Sequence, residues 1–392
     1  RDRMKIAVFT DSFHPQKNGV VVFLSEALRA LSEKHEVILF ASGEGKLREE
    51  RINGNYRIYW VPSTPFPFYE GYRVSSTTPL EINRILKEEK PDLVHLHAPV
   101  VLGLHGLIAA KKRRIPIIAT YHTHFPDYLP HLLRGKLFRL VGGIGDYTTK
   151  KLIKLVFSQV DISTAPTKEL VKELTDYGIK NVVYLPNGVN IKKMHSIKGD
   201  GGALREKFGI GAKKIVLYAG RISFEKQLEV LLEAFRELDD GSTALLIVGS
   251  GPSLDRYKEM AGVFGLKNVV FAGFVEDDIL SAAYSTANVF ASPSGSETFG
   301  LTFVEAMSFG LPAVGVNRLG AKELIDGKNG FVVEPGDAHA FAMKIKEIIS
   351  DDKLRARMAK AALATSRQYT LEKCMDKTIE LYERLVSEKE YK

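Results

Sequence analysis

Short apolar runs alternate with helix-period segments along this sequence in two successive series. The first series predicts strands at residues 6–10, 37–41, 58–62, 93–96, 117–121, 162–165 and 182–185. The second predicts strands at 215–219, 244–248, 269–272, 289–291, 313–316 and 331–333. Short, fully apolar strands separated by helices are typical of buried parallel sheets. Two such series predict an α/β protein of two doubly wound, Rossmann-like domains.

The predicted boundary between the domains is the turn-forming sequence at residues 186–190, which a polar stretch at 192–202 follows. We therefore expect a first domain over 1–187 and a second over 188–370. The last predicted helix, about 371–392, is expected to cross back onto the first domain. Ligands bind at the carboxyl ends of parallel strands, so a cleft between two facing sheets is the expected active site.

The composition limits where the protein works. Cys374 is the single cysteine among 392 residues, which excludes a disulfide framework within one chain and favours a reducing compartment. No signal peptide is recognised, and no run of about 18 apolar residues occurs to span a membrane. These features predict a cytoplasmic protein.

The net charge of +8 lies entirely in the first half. Residues 1–187 contain 27 Lys and Arg against 19 Asp and Glu, and residues 188–392 contain 28 of each. A basic first half indicates an anionic partner: a membrane surface, nucleic acid or an acidic substrate. The alternative is a basic surface that serves solubility alone.

The segment at 292–306 places two carboxylates, Glu297 and Glu305, eight positions apart with Gly300 between them. A strand, a loop and a helix fit this pattern. Backbone N–H groups at the helix start, near Gly300, would then bind an anion, and the carboxylates would accept hydrogen bonds from hydroxyls. This predicts a sugar-nucleotide site. The alternative makes Glu297 a helix-start acid and Glu305 a solvated residue, although apolar residues flank Glu305.

Three other motifs follow predicted strands. Gly19 lies in the loop at 10–20, where glycine permits close approach to a phosphate or sugar, or is an ordinary helix-start glycine. Arg221 and Lys226 lie together at a helix start, where two cations disfavour the helix but suit a diphosphate. Gly249 forms a turn suited to the approach of a nucleotide.

His122 and Asp127 directly follow the strand predicted at 117–121, where groups that face a substrate are expected. His122 and His124 resemble a metal pair, but no third ligand has suitable spacing. His122 is alternatively a packed residue at a strand end.

The segment at 131–157 interleaves Arg134, Lys136 and Arg139 with leucines. A basic amphipathic segment of this kind is able to lie in a membrane interface, where each basic residue contributes about 1 kcal/mol. The alternative is an ordinary surface helix.

Taken together, these motifs resemble the retaining, nucleotide-sugar-dependent glycosyltransferases of family 4 (group 1), which have the GT-B fold. The shared features are the N-G-V loop with Gly19, H-T-H at His122, the P-N-G-V turn at Asn187, G-R-x4-K at Arg221 and Lys226, and E-x7-E at Glu297 and Glu305. The motifs span residues 10–305.

The resemblance implies roles at the matching positions, which are as follows. Arg221 and Lys226 would bind the donor diphosphate, Glu305 the ribose, Glu297 the sugar hydroxyls, and the Gly300–Leu301 backbone the sugar and phosphate. Gly19 would lie beside the phosphates and His122 near the sugar 6-hydroxyl, with Asp127 an acceptor-site residue. No enzymic nucleophile is implied. A departing diphosphate needs electrostatic stabilisation more than a metal, and no D-x-D metal motif occurs, so neither a metal nor another cofactor is expected.

Within the family, T-D-S-F-H-P-Q-x-N-G-V-V and H-T-H-x-x-D-Y resemble the membrane-associated branch, which includes diacylglycerol glucosyltransferases and lipid mannosyltransferases. The implied partners are a UDP- or GDP-sugar and a lipid acceptor at an anionic membrane, with peripheral attachment to the inner face of the cell membrane. A soluble sugar or polysaccharide acceptor is the main alternative. A nucleotide-sugar epimerase lacks the combined motifs, and no nucleic-acid recognition motif is present.

Overall fold

The computed structural model describes residues 3–16, 18–65, 73–122, 124, 136–238 and 241–390, with the helix backbone alone at 136–146 and 390. The chain divides into two compact units. Unit 1 comprises residues 1–188 and 371–392, and unit 2 comprises residues 189–370.

Unit 1 is built on one largely parallel sheet in the strand order β3-β4-β2-β1-β6-β7-β8-β9. Only β3 and β5, among the described strands, run antiparallel, and both pair with β4. The strands are β1 (Lys5–Thr10), β2 (Glu36–Gly43), β3 (Arg48–Arg51), β4 (Tyr56–Pro65), β5 (Arg73–Ser75), β6 (Leu93–His97), β7 (Ile117–Thr120), β8 (Ile162–Ala165) and β9 (Val182–Tyr184).

Several helices of unit 1 begin at a capping residue, and the second helix shows the pattern most fully. Thr78 caps the second helix through the N–H of Glu81, and Pro79 occupies its first position, where a missing N–H is harmless. Lys90 ends that helix in the left-handed conformation. The helices up to the boundary are α1 (Gly19–Ser32), α2 (Pro79–Glu89), α3 (Val101–Arg113), α4 (Lys136–Phe157) and α5 (Lys168–Asp176).

Unit 2 is built on a parallel sheet in the order β12-β11-β10-β13-β14-β15, with a hydrophobic core on each face. Its strands are β10 (Lys214–Ala219), β11 (Thr243–Val248), β12 (Val269–Gly273), β13 (Val289–Ala291), β14 (Ala313–Val316) and β15 (Gly330–Val333). Its helices are α6 (Ile191–Ser196), α7 (Gly201–Lys207), α8 (Leu228–Leu238), α9 (Leu254–Val263), α10 (Asp277–Thr286), α11 (Leu301–Ser308), α12 (Leu319–Leu324), α13 (Ala338–Ser350) and α14 (Asp352–Ser366).

The last helix, α15 (Leu371–Glu390), returns to unit 1 and packs against α1. Its Tyr382 and Leu385 are buried. Near its end, Lys389 pairs with Asp161 across 3.0 Å. The predicted return of this helix is therefore confirmed.

The predicted α/β fold with two doubly wound sheets is confirmed, and each apolar run predicted as a strand forms one. The sequence did not predict β3 and β5. The polar stretch at 192–202 contains most of α6 and the start of α7. Helix α8 begins at Leu228, after a separate 3-10 turn at Phe224–Lys226.

None of the described helices combines the length and the apolar character that crossing a bilayer requires.

Candidate active site

The strand order of unit 2 reverses direction between two neighbouring strands, β10 and β13. From β10 the chain proceeds outward through β11 and β12, and from β13 it proceeds the other way through β14 and β15. In open α/β sheets, ligands bind at the carboxyl ends of the strands on either side of such a switch point. The loops after β10 and β13, at residues 220–227 and 292–300, carry the predicted Arg221, Lys226, Glu297 and Gly300.

Lys226 and Glu297 meet across this switch point. The Lys226 ammonium donates to Glu297 Oε1 at 2.7 Å, and the side chains are only 12% and 23% exposed. The sequence did not predict this contact, because the residues lie 71 positions apart. Burial raises the pKa of the neighbouring Tyr218, which Glu297 raises further and Lys226 lowers. The pair thus places one cation and one carboxylate side by side on the sheet edge.

Arg221 is half-buried, and its carbonyl accepts a hydrogen bond from Tyr218 at 2.9 Å. Its loop packs tightly on the loop after β11. A Cβ at Gly249 would lie 1.8 Å from the Gly220 carbonyl oxygen, and Gly249 has φ +139°. The glycine at 249 is therefore required by packing between the two loops, whether or not a nucleotide approaches it.

The start of α12 holds the loop that carries Glu297 through two hydrogen bonds. The Gly320 N–H donates to the Glu297 carbonyl at 2.8 Å, and Arg318 donates to the Gly295 carbonyl at 3.0 Å. A Cβ at Gly320 would lie 2.1 Å from the Phe299 carbonyl oxygen, so a glycine is required there. These contacts hold the loop through its backbone carbonyls and leave the Glu297 carboxylate to pair with Lys226.

Helix α11 begins at Leu301 after Gly300, which has the left-handed φ of +86°. Glycine has no side chain, so the N-cap residue makes no capping hydrogen bond. A Cβ at this position would also lie 2.9 Å from the Phe303 ring. The positive end of the helix dipole and the first backbone N–H groups thus lie next to the partly exposed Glu297. An anion is favoured at this position.

Glu305 lies one turn further along α11 and is partly buried. Tyr284 donates its hydroxyl to Glu305 Oε2 at 2.8 Å. Burial raises the pKa of Glu305, and the hydrogen bond from Tyr284 opposes this shift. The tyrosine orients the carboxylate and leaves Oε1 as a potential acceptor for a ligand hydroxyl.

In unit 1, His122 and His124 turn to different partners. His122 is 3% exposed, and its Nε2 lies 2.7 Å from Nδ1 of His97. Burial lowers the pKa of His122 to about 4, so the ring is neutral at pH 7. His124 lies 3.1 Å from Glu173. Within the described part of the chain, no group of three or more His, Cys, Asp or Glu residues is arranged to hold a metal ion.

The switch point of unit 1 lies between β1 and β6, and Asp11 directly follows β1 there. Its carboxylate accepts from the backbone N–H groups of Val100, Leu102 and Gly103 at 2.9, 2.8 and 3.2 Å. Burial raises the pKa of Asp11, and these hydrogen bonds lower it. Asp11 thus caps α3, whereas the start of α11 in unit 2 has no side-chain cap. Gly19 is exposed and is the first residue of α1.

Asp127 and residues 131–135 of the predicted basic segment lie outside the described residues. The described side chains of α4 after residue 146 show an unusual surface. Leu152 and Leu155 are 57% and 60% exposed, beside the exposed Lys151 and Lys154. Tyr147 is also exposed, with the Lys151 ammonium 4.4 Å from its ring centre. We call these five residues the α4 surface.

Sequence reasoning did not identify Asp11, His97 or Tyr284. His97 and Tyr284 contact the predicted site residues His122 and Glu305, and Asp11 caps α3. Asp11 carried a signal, since an acid directly after the first strand is placed to cap a neighbouring helix. His97 also carried one, as the second histidine of the H-L-H run in β6. Tyr284 had no signal, because its contact with Glu305 depends on how α10 packs on α11.

Two family models match the chain. Residues 17–193 match the model for Glycosyltransferase Family 4, and residues 202–365 match that for glycosyl transferases group 1. A GDP-mannose-dependent alpha-mannosyltransferase of Corynebacterium glutamicum is 30% identical over 97% of this chain and 88% of its own length. An alpha-monoglucosyldiacylglycerol synthase of Acholeplasma laidlawii is 30% identical over 83% of this chain and 84% of its length.

The sulfoquinovosyl transferase SQD2 of Arabidopsis thaliana is 31% identical over 85% of this chain, which spans 64% of the plant protein. Among solved structures, sucrose-phosphate synthase from Thermosynechococcus elongatus superposes with a TM-score of 0.78 at 20% identity, covering 99% of this chain and 100% of its own. Anabaena Alr3699/HepE in complex with UDP-glucose gives 0.75 at 19% identity, covering 97% and 100%.

The two-unit α/β fold and these relatives define a hexosyltransferase with the GT-B fold. The chain belongs to the family 4 (group 1) glycosyltransferases.

Proposed function

We propose that the chain transfers a hexose from a nucleotide sugar, of the UDP-glucose or GDP-mannose type, to a hydroxyl of a membrane lipid such as diacylglycerol. The anomeric configuration is retained. The observation that carries the donor side of this proposal is the Lys226–Glu297 pair beside the uncapped start of α11.

That arrangement suits the three parts of a nucleotide sugar. The ammonium of Lys226, the guanidinium of Arg221 and the first N–H groups of α11 supply positive charge for a diphosphate. Glu297 accepts from sugar hydroxyls and Glu305 from ribose hydroxyls. The GDP-mannose dependence in the name of the mannosyltransferase and the UDP-glucose in the HepE complex support a donor of this class.

The proposed chemistry relies on stabilising a leaving group. As the sugar–phosphate bond breaks, negative charge develops on the diphosphate, and fixed cations and backbone dipoles stabilise it most strongly where water is excluded. Arg221 and Lys226 take this role without a metal or another cofactor. Glu297 is held by Lys226 and acts as a sugar-binding group rather than a nucleophile. His122 contacts the 6-hydroxyl of the sugar, and Gly19 lies beside the phosphates.

The α4 surface supports the lipid acceptor. Exposed leucines and a tyrosine among lysines combine apolar insertion with attraction to anionic headgroups, about 1 kcal/mol for each lysine near the bilayer. The excess positive charge of residues 1–187 acts in the same sense. A relative named as a diacylglycerol glycolipid synthase agrees with this acceptor class. We propose peripheral attachment to the inner face of the cell membrane, with Asp127 at the acceptor site.

A transfer assay tests both halves of the proposal. UDP-glucose, UDP-galactose and GDP-mannose are each offered with diacylglycerol in anionic vesicles, in neutral vesicles, or with soluble sugars instead. We expect transfer to lipid from one donor, faster on anionic vesicles, and an α-linked product. Transfer to soluble acceptors only, with indifference to anionic vesicles, would overturn the lipid acceptor and leave the donor assignment standing.

A variant pair separates membrane contact from chemistry. Replacing Leu152 and Leu155 with serine should reduce vesicle binding and lipid transfer while donor hydrolysis in solution is unchanged. The matched control is Val263→Ser, which removes a side chain that is 79% exposed on α9. If the control and the α4 variant lose vesicle binding equally, the α4 surface is not the contact.

A further inference from the structure

Three imidazole rings lie side by side in the interior of unit 1. The ring centres of His95 and His97 lie 4.0 Å apart, and those of His97 and His122 lie 5.0 Å apart with nearly parallel planes. His95 and His97 occupy alternate positions of β6 and therefore share one face of the sheet. On the neighbouring β7, Thr120 pairs in register with His97, and His122 lies two residues beyond the end of that strand.

His95, the first of the three rings along the chain, is hydrogen-bonded to the C-terminal helix. His95 Nδ1 lies 2.5 Å from the Tyr382 hydroxyl on α15, and His95 Nε2 lies 2.6 Å from Thr120 Oγ1. Thr120 in turn lies 2.6 Å from Thr164 Oγ1 on β8. Both ring nitrogens of His95 thus have hydrogen-bond partners, which fix the orientation of this ring.

The neutral imidazoles of His97 and His122 share a hydrogen bond. Burial lowers the pKa values of His97 and His122, so one proton is shared between His97 Nδ1 and His122 Nε2. If His97 donates, His122 carries its own proton on Nδ1. If His122 donates, its Nδ1 carries none. The tautomers of the two rings are therefore coupled.

We propose that His97 is a positioning residue for hexose transfer, which fixes the tautomer and the ring orientation of His122 through their 2.7 Å hydrogen bond. Tyr382 fixes the ring of His95, which packs against His97, so α15 contributes to the geometry of His122. This inference rests on the proposed contact of His122 with the donor sugar. A sugar hydroxyl can donate or accept a hydrogen bond. The tautomer of His122 decides whether the hydroxyl must donate to the ring or accept from it.

The test exploits the geometry of histidine analogues. Asparagine places a polar amide atom near the position of Nδ1, so His97→Asn retains a partner for His122 Nε2, whereas His97→Leu removes it. The control is His35→Leu, which removes a buried histidine of unit 1 that is not one of these three rings.

The first readout is the nitrogen-15 spectrum of the imidazoles in the full-length, unliganded protein. We expect a single tautomer for His122 in the wild type, in His97→Asn and in His35→Leu, and a tautomer mixture in His97→Leu. The coupling to α15 predicts the same change, at smaller amplitude, in Tyr382→Phe. Unchanged His122 signals in a folded His97→Leu protein would overturn the proposal, as would a tautomer mixture in the wild type.

The second readout is transfer from UDP-glucose or GDP-mannose, whichever supports turnover. His97→Leu should lower kcat about tenfold through the loss of one oriented hydrogen bond, with KM unchanged, and His97→Asn should restore most of the rate. An asparagine variant no faster than the leucine variant contradicts the proposal. Full activity in His122→Ala would instead refute the sugar contact of His122, and the nitrogen spectra would still decide whether His97 positions it.

Discussion

Lys226 donates its ammonium to the Glu297 carboxylate at 2.7 Å, joining the loops that follow two neighbouring strands of one sheet. Both side chains are mostly buried. Removing one partner of such a pair leaves an uncompensated charge, so the pair is held as a unit. Its position at the switch point of the sheet makes it the centre of the donor site in our account.

Replacing Lys226 with methionine should therefore slow hexose transfer about 10²- to 10³-fold, because a cation that stabilises the leaving diphosphate is lost. Steady-state kinetics with the active donor measures this effect. The control is Lys344→Met, which breaks an exposed pair with Glu347 at 2.9 Å and should leave the rate unchanged. A Lys226→Met enzyme with the wild-type rate would remove the lysine from the mechanism.

Glu305 and Glu297 should separate by function. Glu305→Ala should weaken UDP or GDP binding by about 1–3 kcal/mol, since charge-assisted hydrogen bonds to ribose are lost. Glu297→Ala should leave nucleotide affinity intact and reduce turnover. Calorimetric titration and kinetics distinguish the two. Tyr284→Phe, which removes the partner of Glu305 Oε2, should cause a smaller loss of affinity. Equal losses in both glutamate variants contradict the assignment.

Stability of unit 1 should fall on mild acidification. Burial lowers the pKa of His95 to about 3, that of His122 to about 4, and that of His97 well below 6.5. A lowered histidine pKa means that the unfolded chain binds the proton more readily, so this stability is complete above about pH 6.5 and is lost below it. At pH 5.5 the loss is about 1.4 kcal/mol for each ring.

Denaturant unfolding of the protein between pH 7.5 and pH 5 measures this dependence. His97→Asn, with one buried imidazole fewer, should show a smaller slope than the wild type. The same pH dependence in the wild type and in His97→Asn would show that His97 is not buried as a neutral ring.

Asp11 should matter to folding more than an ordinary cap. Asp11→Ala leaves buried N–H groups at the start of α3 without an acceptor and should destabilise unit 1 by about 1–3 kcal/mol. The matched control in the same unit is Thr78→Ala, which removes an exposed cap of α2 and should have a smaller effect, about 1 kcal/mol. Equal destabilisation by the two substitutions, in thermal or chemical unfolding, would show that burial of the Asp11 cap adds nothing.

Much of the fold is predictable because buried parallel strands require unbroken apolar runs. Strand β3 shows the limit of this rule: Arg48–Arg51 is exposed and polar throughout, and it forms only by pairing with the edge of β4. The start of α11 was predicted correctly because Gly300 carries a local signal. Contacts such as that of His97 with His122 depend on strand order, which one sequence does not reveal.

We expect unit 2 to bind a nucleotide sugar through Lys226, the start of α11 and Glu305. Calorimetric titration of the wild type with UDP and with GDP, with and without EDTA, tests this binding most directly. We predict one saturable site per chain for one of these nucleotides, unchanged by EDTA and weakened at least about fivefold in Glu305→Ala. The absence of saturable binding for both nucleotides, or equal affinity in wild type and Glu305→Ala, would contradict the account.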